Sequence, residues 1–170
     1  MIHVFAFGAT ACGVALMLAP RTAQADPHHR RCEIVDGKLA EDPAGAANCP
    51  TGHPGCFRGE IHGRGLHAAT LFYGDGAGTP PVNSPDFIPY TGITTYTTNH
   101  GSFVTRESGH YSTVEIAEAP EGGDGASFSI EIITSGTGEF ANATGYLYVT
   151  GFVNNASHVS STVTGKICTP

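Results

Sequence analysis

Apolar and polar residues alternate along most of the chain after residue 56, with the period of two that is typical of β-strands. The clearest case is residues 127–134, where Phe128, Ile130 and Ile132 alternate with small or charged residues. No long stretch shows a helical period. Other strand-like runs, separated by turns rich in Gly, Pro or Asn, cover residues 57–73, 87–98, 102–111, 113–119, 146–153 and 159–167.

These runs predict seven or eight strands of ordinary length and an all-β fold. We expect a single closed antiparallel barrel, because closure removes the exposed edges of a sheet this large. The row that begins with Phe128 is expected to face the interior. So are Phe57 and His67 in the first run, and Phe103 and Glu107 in the run 102–111.

The first 25 residues have the pattern of a bacterial-type signal peptide. An apolar run at residues 4–18 ends before Pro20, and Ala23-Gln24-Ala25 supplies small residues for a signal peptidase. The run is shorter than the ~20 residues that cross a bilayer. We therefore expect cleavage after Ala25 and a secreted or periplasmic protein without a membrane-inserted segment, the alternative being an uncleaved anchor. Residues 26–55 then form an irregular arm pinned by a disulfide, and residues 56–170 form the barrel domain.

The cysteines favour two disulfides. Cys12 leaves with the leader, and four cysteines remain in an exported chain. Three connectivities are open, and we expect Cys56 to pair with Cys168, because the first and last strands of an even-numbered closed barrel are neighbours. Cys32 then pairs with Cys49. A zinc site is the alternative, although the spacing contains no C-x-x-C motif.

Charge and motifs narrow the function classes. The formal net charge is −7 at pH 7, which argues against nucleic acid or an anionic membrane as a partner. The sequence contains no nucleophile elbow, Walker loop, H-E-x-x-H helix or dinucleotide-binding motif. It therefore predicts no cofactor and no metal, and whether the protein is an enzyme stays open.

Residues 135–145 read S-G-T-G-E-F-A-N-A-T-G, and a strand and the segment T-G-K-I-C at residues 164–168 follow. The first segment resembles the G-G-T-G-x-F-x-x-A-x-G motif of the allene oxide cyclase and dirigent barrel group, with Ser135 in place of the first Gly. The closing segment resembles exported bacterial members of that group that have no assigned activity. Residues 99–109 are similar to the preceding hairpin, so the likeness covers roughly residues 87–168.

The resemblance implies an eight-stranded barrel with an apolar cavity. Allene oxide cyclases and dirigent proteins use such a cavity to hold a reactive intermediate. None of their catalytic residues can be matched one by one to positions of this sequence, so the resemblance transfers a fold and a general mode of action but no site.

Two side chains are candidates for acid–base catalysis. Glu107 shares the expected inward face of its strand, and burial in an apolar barrel raises the pKa of a carboxyl group toward neutrality. His67 shares the inward face of the first run and is a candidate partner for Glu107. The structural alternatives for Glu107 are a hydrogen-bonded carboxyl group at the barrel mouth and a side chain exposed by a register slip. The structural alternative for His67 is a side chain that belongs to the barrel wall.

The first functional hypothesis is a barrel that binds a small apolar molecule, with a cyclase or isomerase acting by confinement as its catalytic version. The second is a ligand-free structural or interaction protein of the envelope or extracellular space, with its working surfaces outside the barrel. Association into oligomers is compatible with either hypothesis. The residues expected to line the binding interior are Tyr90, Phe103, Phe128, Ile130 and Leu147.

Overall fold

The computed structural model describes residues 30–112, 123–154 and 157–170. The expected signal peptide and the expected strand at residues 113–119 lie outside these ranges. Within them, no helix combines the length and the apolar character required to cross a membrane.

The described residues form a closed antiparallel barrel of eight strands, as the alternation predicts. Each strand pairs with its sequence neighbours, and the last closes the barrel against the first. The strands are β1 (Arg31–Pro43), β2 (Phe57–Arg64), β3 (Leu66–Ala77), β4 (Phe87–Thr98), β5 (Gly101–Ser112), β6 (Gly123–Gly136), β7 (Thr144–Asn154) and β8 (Val159–Thr169).

The first strand lies inside the segment that we expected to be an irregular arm. That expectation is wrong for Arg31–Pro43, where Val35, Leu39 and Glu41 are buried and their neighbours are exposed. This alternation pairs β1 with both β2 and β8. Residues 44–56 remain a connection that contains only one short 3-10 helix. The barrel therefore begins about 25 residues earlier than the sequence suggested.

A tight turn at Gly65 divides the run that we expected to be one strand. Gly65 has φ 74°, and a Cβ there would lie 2.3 Å from the Ile34 carbonyl oxygen, so the position favours glycine on both counts. The chain reverses at this point into the β2–β3 hairpin. Because the reversal changes the phase of the alternation, His67 is exposed, while Leu66 and Ala68 face the core.

The disulfide connectivity also differs from the expected one. Cys32 pairs with Cys168 and Cys49 pairs with Cys56. The principle that the first and last strands are neighbours holds, but the first strand is β1, and its Cys32 lies directly opposite Cys168 in the β1–β8 register. The second bridge closes the connection between β1 and β2.

The end of the barrel nearest the Cys32–Cys168 bridge is filled with side chains. Tyr96 and Phe103 are fully buried and stack with their ring centroids 4.7 Å apart. Phe140, in the motif segment, packs on Phe103 at 5.1 Å and covers this end. The chain reaches Phe140 through Gly138, whose φ is 60°. This half of the barrel is a packed core.

The apolar row of β6 faces outward, opposite to our expectation. Phe128, Ile130 and Ile132 are 50%, 39% and 48% exposed, whereas Ser129 and Glu131 are buried. The alternation in this strand is real, but its polar phase points to the interior, where Glu131 has hydroxyl partners. The apolar side chains therefore lie on the outer surface.

Removal of the two disulfides should have unequal effects. The Cys32–Cys168 bridge spans 136 residues and the Cys49–Cys56 bridge spans 7. Because loop-closure entropy grows with loop length, Cys32→Ser with Cys168→Ser should lower the free energy of unfolding by about 4–5 kcal/mol, and Cys49→Ser with Cys56→Ser by about 2 kcal/mol. Urea denaturation measures both, and peptide mapping of the oxidised protein checks the pairing. Equal losses, or a Cys56–Cys168 peptide, would contradict the assignment.

Candidate functional site

The half of the barrel opposite Phe140 contains a cavity of about 390 Å³. Its wall is mainly apolar, and all strands of the barrel contribute to it. Aromatic and aliphatic side chains surround the space where a core would otherwise continue. The principal apolar lining residues are Leu39, Phe57, Phe72, Ile88, Val149 and Val153.

Three glutamates form a layer between this cavity and the packed core. Glu41 on β1, Glu107 on β5 and Glu131 on β6 are each at most 5% exposed, and all three line the cavity. Since residues beyond them in each strand, such as Phe103 on β5, fill the core, the carboxyl groups form the floor of the cavity. We call these three residues the carboxyl layer.

Hydroxyl groups of other strands donate to the carboxyl layer. The Thr70 hydroxyl donates to Glu41 Oε1 at 2.6 Å, and the Thr94 hydroxyl donates to Glu107 Oε2 at 3.1 Å. Glu131 accepts from the Tyr96 hydroxyl at 3.0 Å and from the Thr105 hydroxyl at 2.6 Å. Buried polar groups need such partners, because water no longer solvates them. These bonds join β1 to β3 at Glu41, and join β4, β5 and β6 through Glu107 and Glu131.

Glu107 and Glu131 act as a pair. They lie directly opposite each other in the β5–β6 register, and each affects the pKa of the other. Burial, reinforced by neighbouring carboxylates, raises the pKa of Glu107 to about 7 and that of Glu131 to about 8. Burial also raises the pKa of Glu41. Near neutral pH the pair therefore retains a proton.

Tyr90 connects the carboxyl layer to the cavity wall. Burial together with the nearby Glu107 charge raises the pKa of this phenol well above its usual range. The phenol consequently stays protonated and is a donor to a carboxylate. Because Tyr90 and Ser129 both line the cavity, they add polar contacts just above the floor.

Ser161 on β8 has a buried hydroxyl group without a hydrogen-bond partner among the described residues. The residue is 3% exposed and lines the cavity. It lies opposite Leu39 of β1 and Gly151 of β7, which offer no side-chain donor or acceptor. An unpaired buried hydroxyl is costly, so this oxygen is a natural contact for a polar group inside the cavity.

The structure separates the two expected catalytic residues. Glu107 faces the interior as predicted, but His67 is on the outer face of β3. There His67 Nδ1 lies 3.3 Å from His62 Nδ1, and His62 Nε2 lies 2.8 Å from Glu60 Oε2. The expected approach of His67 to Glu107 is therefore wrong, because the Gly65 turn reverses the face of the strand.

Of the five expected wall residues, only one lies at the cavity. Tyr90 lines it, while Phe103 and Leu147 are fully buried in the core cluster of the filled half. Phe128 and Ile130 are on the outside of β6 and cannot contact an interior ligand. The inward phase assumed for that strand was the source of the error.

Sequence reasoning did not single out Glu41, Glu131 or Ser161. Glu131 was visible in the alternation of β6 but belonged to the face assigned to solvent. Glu41 lies in the segment taken as an arm, and Ser161 is one serine among many. A buried position of Glu131 is recognisable only once Thr105 and Tyr96 are known to face it.

Comparisons of the chain with models of protein families, with curated proteins and with solved structures gave no match. The likeness to the allene oxide cyclase and dirigent group therefore rests on the motif residues alone. Among the residues that the structure describes, no group of three or more His, Cys, Asp and Glu side chains is arranged to hold a metal ion.

The carboxyl layer should make the protein less stable at alkaline pH. The pKa values of Glu107 and Glu131 are about 7 and about 8 in the folded chain and near 4.5 in the unfolded chain. Between the unfolded-state and folded-state pKa values, the folded state holds more protons than the unfolded state. The free energy of unfolding therefore falls as the pH rises from about 5 to about 9. Glu131→Gln should reduce this fall by more than about 1.4 kcal/mol, the equivalent of one pKa unit.

Urea denaturation at intervals between pH 5 and pH 9 measures this effect. Asp36→Asn, which removes an exposed carboxylate from the outside of β1, is the matched control and should keep the slope of the parent protein. A slope that is identical in the parent protein and in Glu131→Gln would show that Glu131 ionises normally in the folded state.

Proposed function

We propose that this protein binds a small, largely apolar molecule inside the barrel. The observation that carries the proposal is the cavity of about 390 Å³ in one half of a barrel whose other half is packed. Ligand sites in proteins have this size and are lined by apolar groups with a few polar groups that fix orientation. Here the carboxyl layer, Tyr90 and Ser161 are those polar groups.

A catalytic version of this proposal assigns proton transfer to the Glu107–Glu131 pair. One carboxylate removes a proton from a bound molecule and the neutral partner returns a proton elsewhere, which is an isomerisation or cyclisation without net oxidation. The pKa of Glu107, about 7, suits both directions of transfer at neutral pH. Confinement in the cavity then limits the conformations that the reacting molecule can adopt.

The proposal includes export from the cytoplasm. Two disulfides form in the described part of the chain, and disulfides persist mainly in oxidising compartments. Together with the leader-like pattern of residues 1–25, this supports a secreted or periplasmic location. An exported dirigent-like barrel of this kind is consistent with the motif at residues 135–145.

Binding can be tested with N-phenyl-1-naphthylamine, a neutral apolar dye that becomes fluorescent in apolar surroundings. The chain contains no tryptophan, so the dye signal is free of tryptophan emission. Ser127→Phe should abolish or weaken dye binding at least about tenfold, because Ser127 lines the cavity and the larger ring occupies it.

Ser135→Phe makes the same change at an exposed position of the same strand and should leave dye binding unchanged. Equal affinity of both variants for the dye, with both folded by circular dichroism, would place the dye outside the cavity and refute the proposal. Native mass spectrometry of the protein purified from its own host then searches for a co-purifying small molecule.

The outer face of β6 and β7 favours a second candidate, an interaction protein whose copies associate. Side chains on this face form a contiguous apolar surface, since Ile130 pairs with Tyr148 and Ile132 with Tyr146 across the two strands. These four residues and Phe128 are each 39–50% exposed. Contiguous apolar patches on soluble proteins commonly mark contact surfaces.

Sedimentation equilibrium tests this candidate. If copies associate through the β6–β7 face, Ile130→Glu should shift the protein to monomers, because a charge cannot be buried at an apolar contact without a partner. Thr95→Glu, a change on another strand of the barrel, is the control and should keep the parent mass. A monomeric parent protein at concentrations of about 100 µM, well above a typical dimer Kd, would refute the association.

A further inference from the structure

The cavity has carboxyl groups but no basic side chain. Its lining includes Glu41, Glu107 and Glu131, and among the described residues that line it none is Lys, Arg or His. The remaining titratable side chains that face the interior are tyrosines, and burial keeps Tyr90 and Tyr96 protonated by raising their pKa values. The electrostatic character of the interior is therefore set by carboxylates alone.

The other walls do not neutralise this charge. The residues facing the cavity from β2 and β3 are Phe57 and Phe72, and those from β7 are valines. β8 contributes Ser161 and Val159. In addition to the residues already named, β4 contributes Thr94 and β5 contributes Tyr111. None of these carries a positive charge. A cationic group of a ligand would therefore meet the carboxylates without competition from a described basic side chain.

Ser161 supplies an independent indication that a polar ligand group reaches the floor. Its hydroxyl is buried, lines the cavity and has no hydrogen-bond partner among the described residues. Ser161 lies opposite Leu39 in the β1–β8 pairing. Leu39 is two positions before Glu41 in β1, and both side chains face inward. A donor on a ligand would therefore find both a carboxylate and an unpaired hydroxyl in the same part of the cavity.

We propose that the cavity selects small apolar molecules that carry one protonated amine, with the ammonium group held at the carboxyl layer, and discriminates against molecules that carry a carboxylate. This inference rests on the proposed function, since it names the ligand class of the same cavity. The ammonium group donates to the carboxylates while the apolar body contacts the wall, which includes Phe57 and Phe72.

Elementary electrostatics determines the direction of selection. An ammonium group near an ionised carboxylate gains Coulomb energy that is larger in a partly enclosed site than in water. A carboxylate placed there meets like charges, and no cation compensates its lost solvation. A neutral hydroxyl group keeps the hydrogen bonds but lacks the charge term, so its affinity should lie between those of the amine and the acid.

Three ligands with the same aromatic body separate these effects: 1-naphthylmethylamine, 1-naphthalenemethanol and 1-naphthoate. Displacement of N-phenyl-1-naphthylamine gives their relative Kd values on the full chain. At pH 8 we expect the amine to bind at least about tenfold more tightly than the alcohol, and the acid at least about tenfold more weakly.

The amine preference should depend on pH in a defined direction. Glu107 loses most of its proton and Glu131 begins to lose its proton as the pH rises from about 5.5 to about 8, and the amine remains protonated throughout. The ratio of amine to alcohol affinity should therefore increase across this range. An unchanged ratio would show that the pair does not bind the ammonium group.

Variants locate the selection in the protein. Glu107→Gln should reduce the amine-to-alcohol ratio at pH 8 toward one, because the amide keeps the shape of the side chain but removes its charge. Glu60→Gln removes an exposed carboxylate from the outer face and should keep the ratio of the parent protein. The pH profile of the parent protein tests the same inference if Glu107→Gln does not fold.

Each outcome separates the inference from the proposed function. Dye binding that Ser127→Phe abolishes, together with equal affinities for amine and alcohol, would overturn the inference and leave the proposed function standing. Failure of the dye to bind would overturn both. A preference for the acid over the amine would overturn the inference, because it requires a positive charge that the described cavity wall does not contain.

Discussion

The carboxyl layer is the constraint on which the rest of the barrel depends. Carboxyl groups that are buried away from water must be neutral or hydrogen-bonded, and those of the carboxyl layer are stabilised in both ways. Glu131 accepts from Tyr96 and Thr105, while Glu107, opposite it in the β5–β6 pairing, accepts from Thr94. Because donors and acceptors belong to different strands, the network fixes how those strands lie against one another. A shift of one strand would leave several buried groups unpaired.

The same network explains why an apolar row lies on the outside of the barrel. A slip by one residue in β6 would bury Ile130 and Ile132 but expose Glu131 and break its hydrogen bonds to two other strands. It would also move Ile133 out of the packed core. The polar interior therefore decides the orientation of the strand, and the apolar residues of the outer face are left for contacts outside the barrel.

Alternation in the sequence predicts strands but not their phase. The alternation was sufficient to predict the closed barrel and the inward orientation of Glu107. It failed in β6, where both faces carry residues suited to burial, and at Gly65, where a two-strand hairpin has nearly the same pattern as one long strand. β1 was missed because its Pro- and Gly-rich surroundings indicate irregular chain, although Val35 and Leu39 show its period. The floor of the cavity depends on contacts between distant strands, which no local pattern reports.

If the barrel were adapted for stability alone, apolar side chains would fill both of its halves. This barrel packs Phe103 and Tyr96 in one half, then places three carboxyl groups and an unpaired Ser161 at the boundary and leaves the other half open. The unpaired hydroxyl and the unfilled half both lower the stability of the barrel. Under the function that we propose, a bound molecule with a donor group and an apolar body would offset both costs. The two features lie in the same cavity, which is the arrangement that an interior binding site requires and that a random packing defect does not.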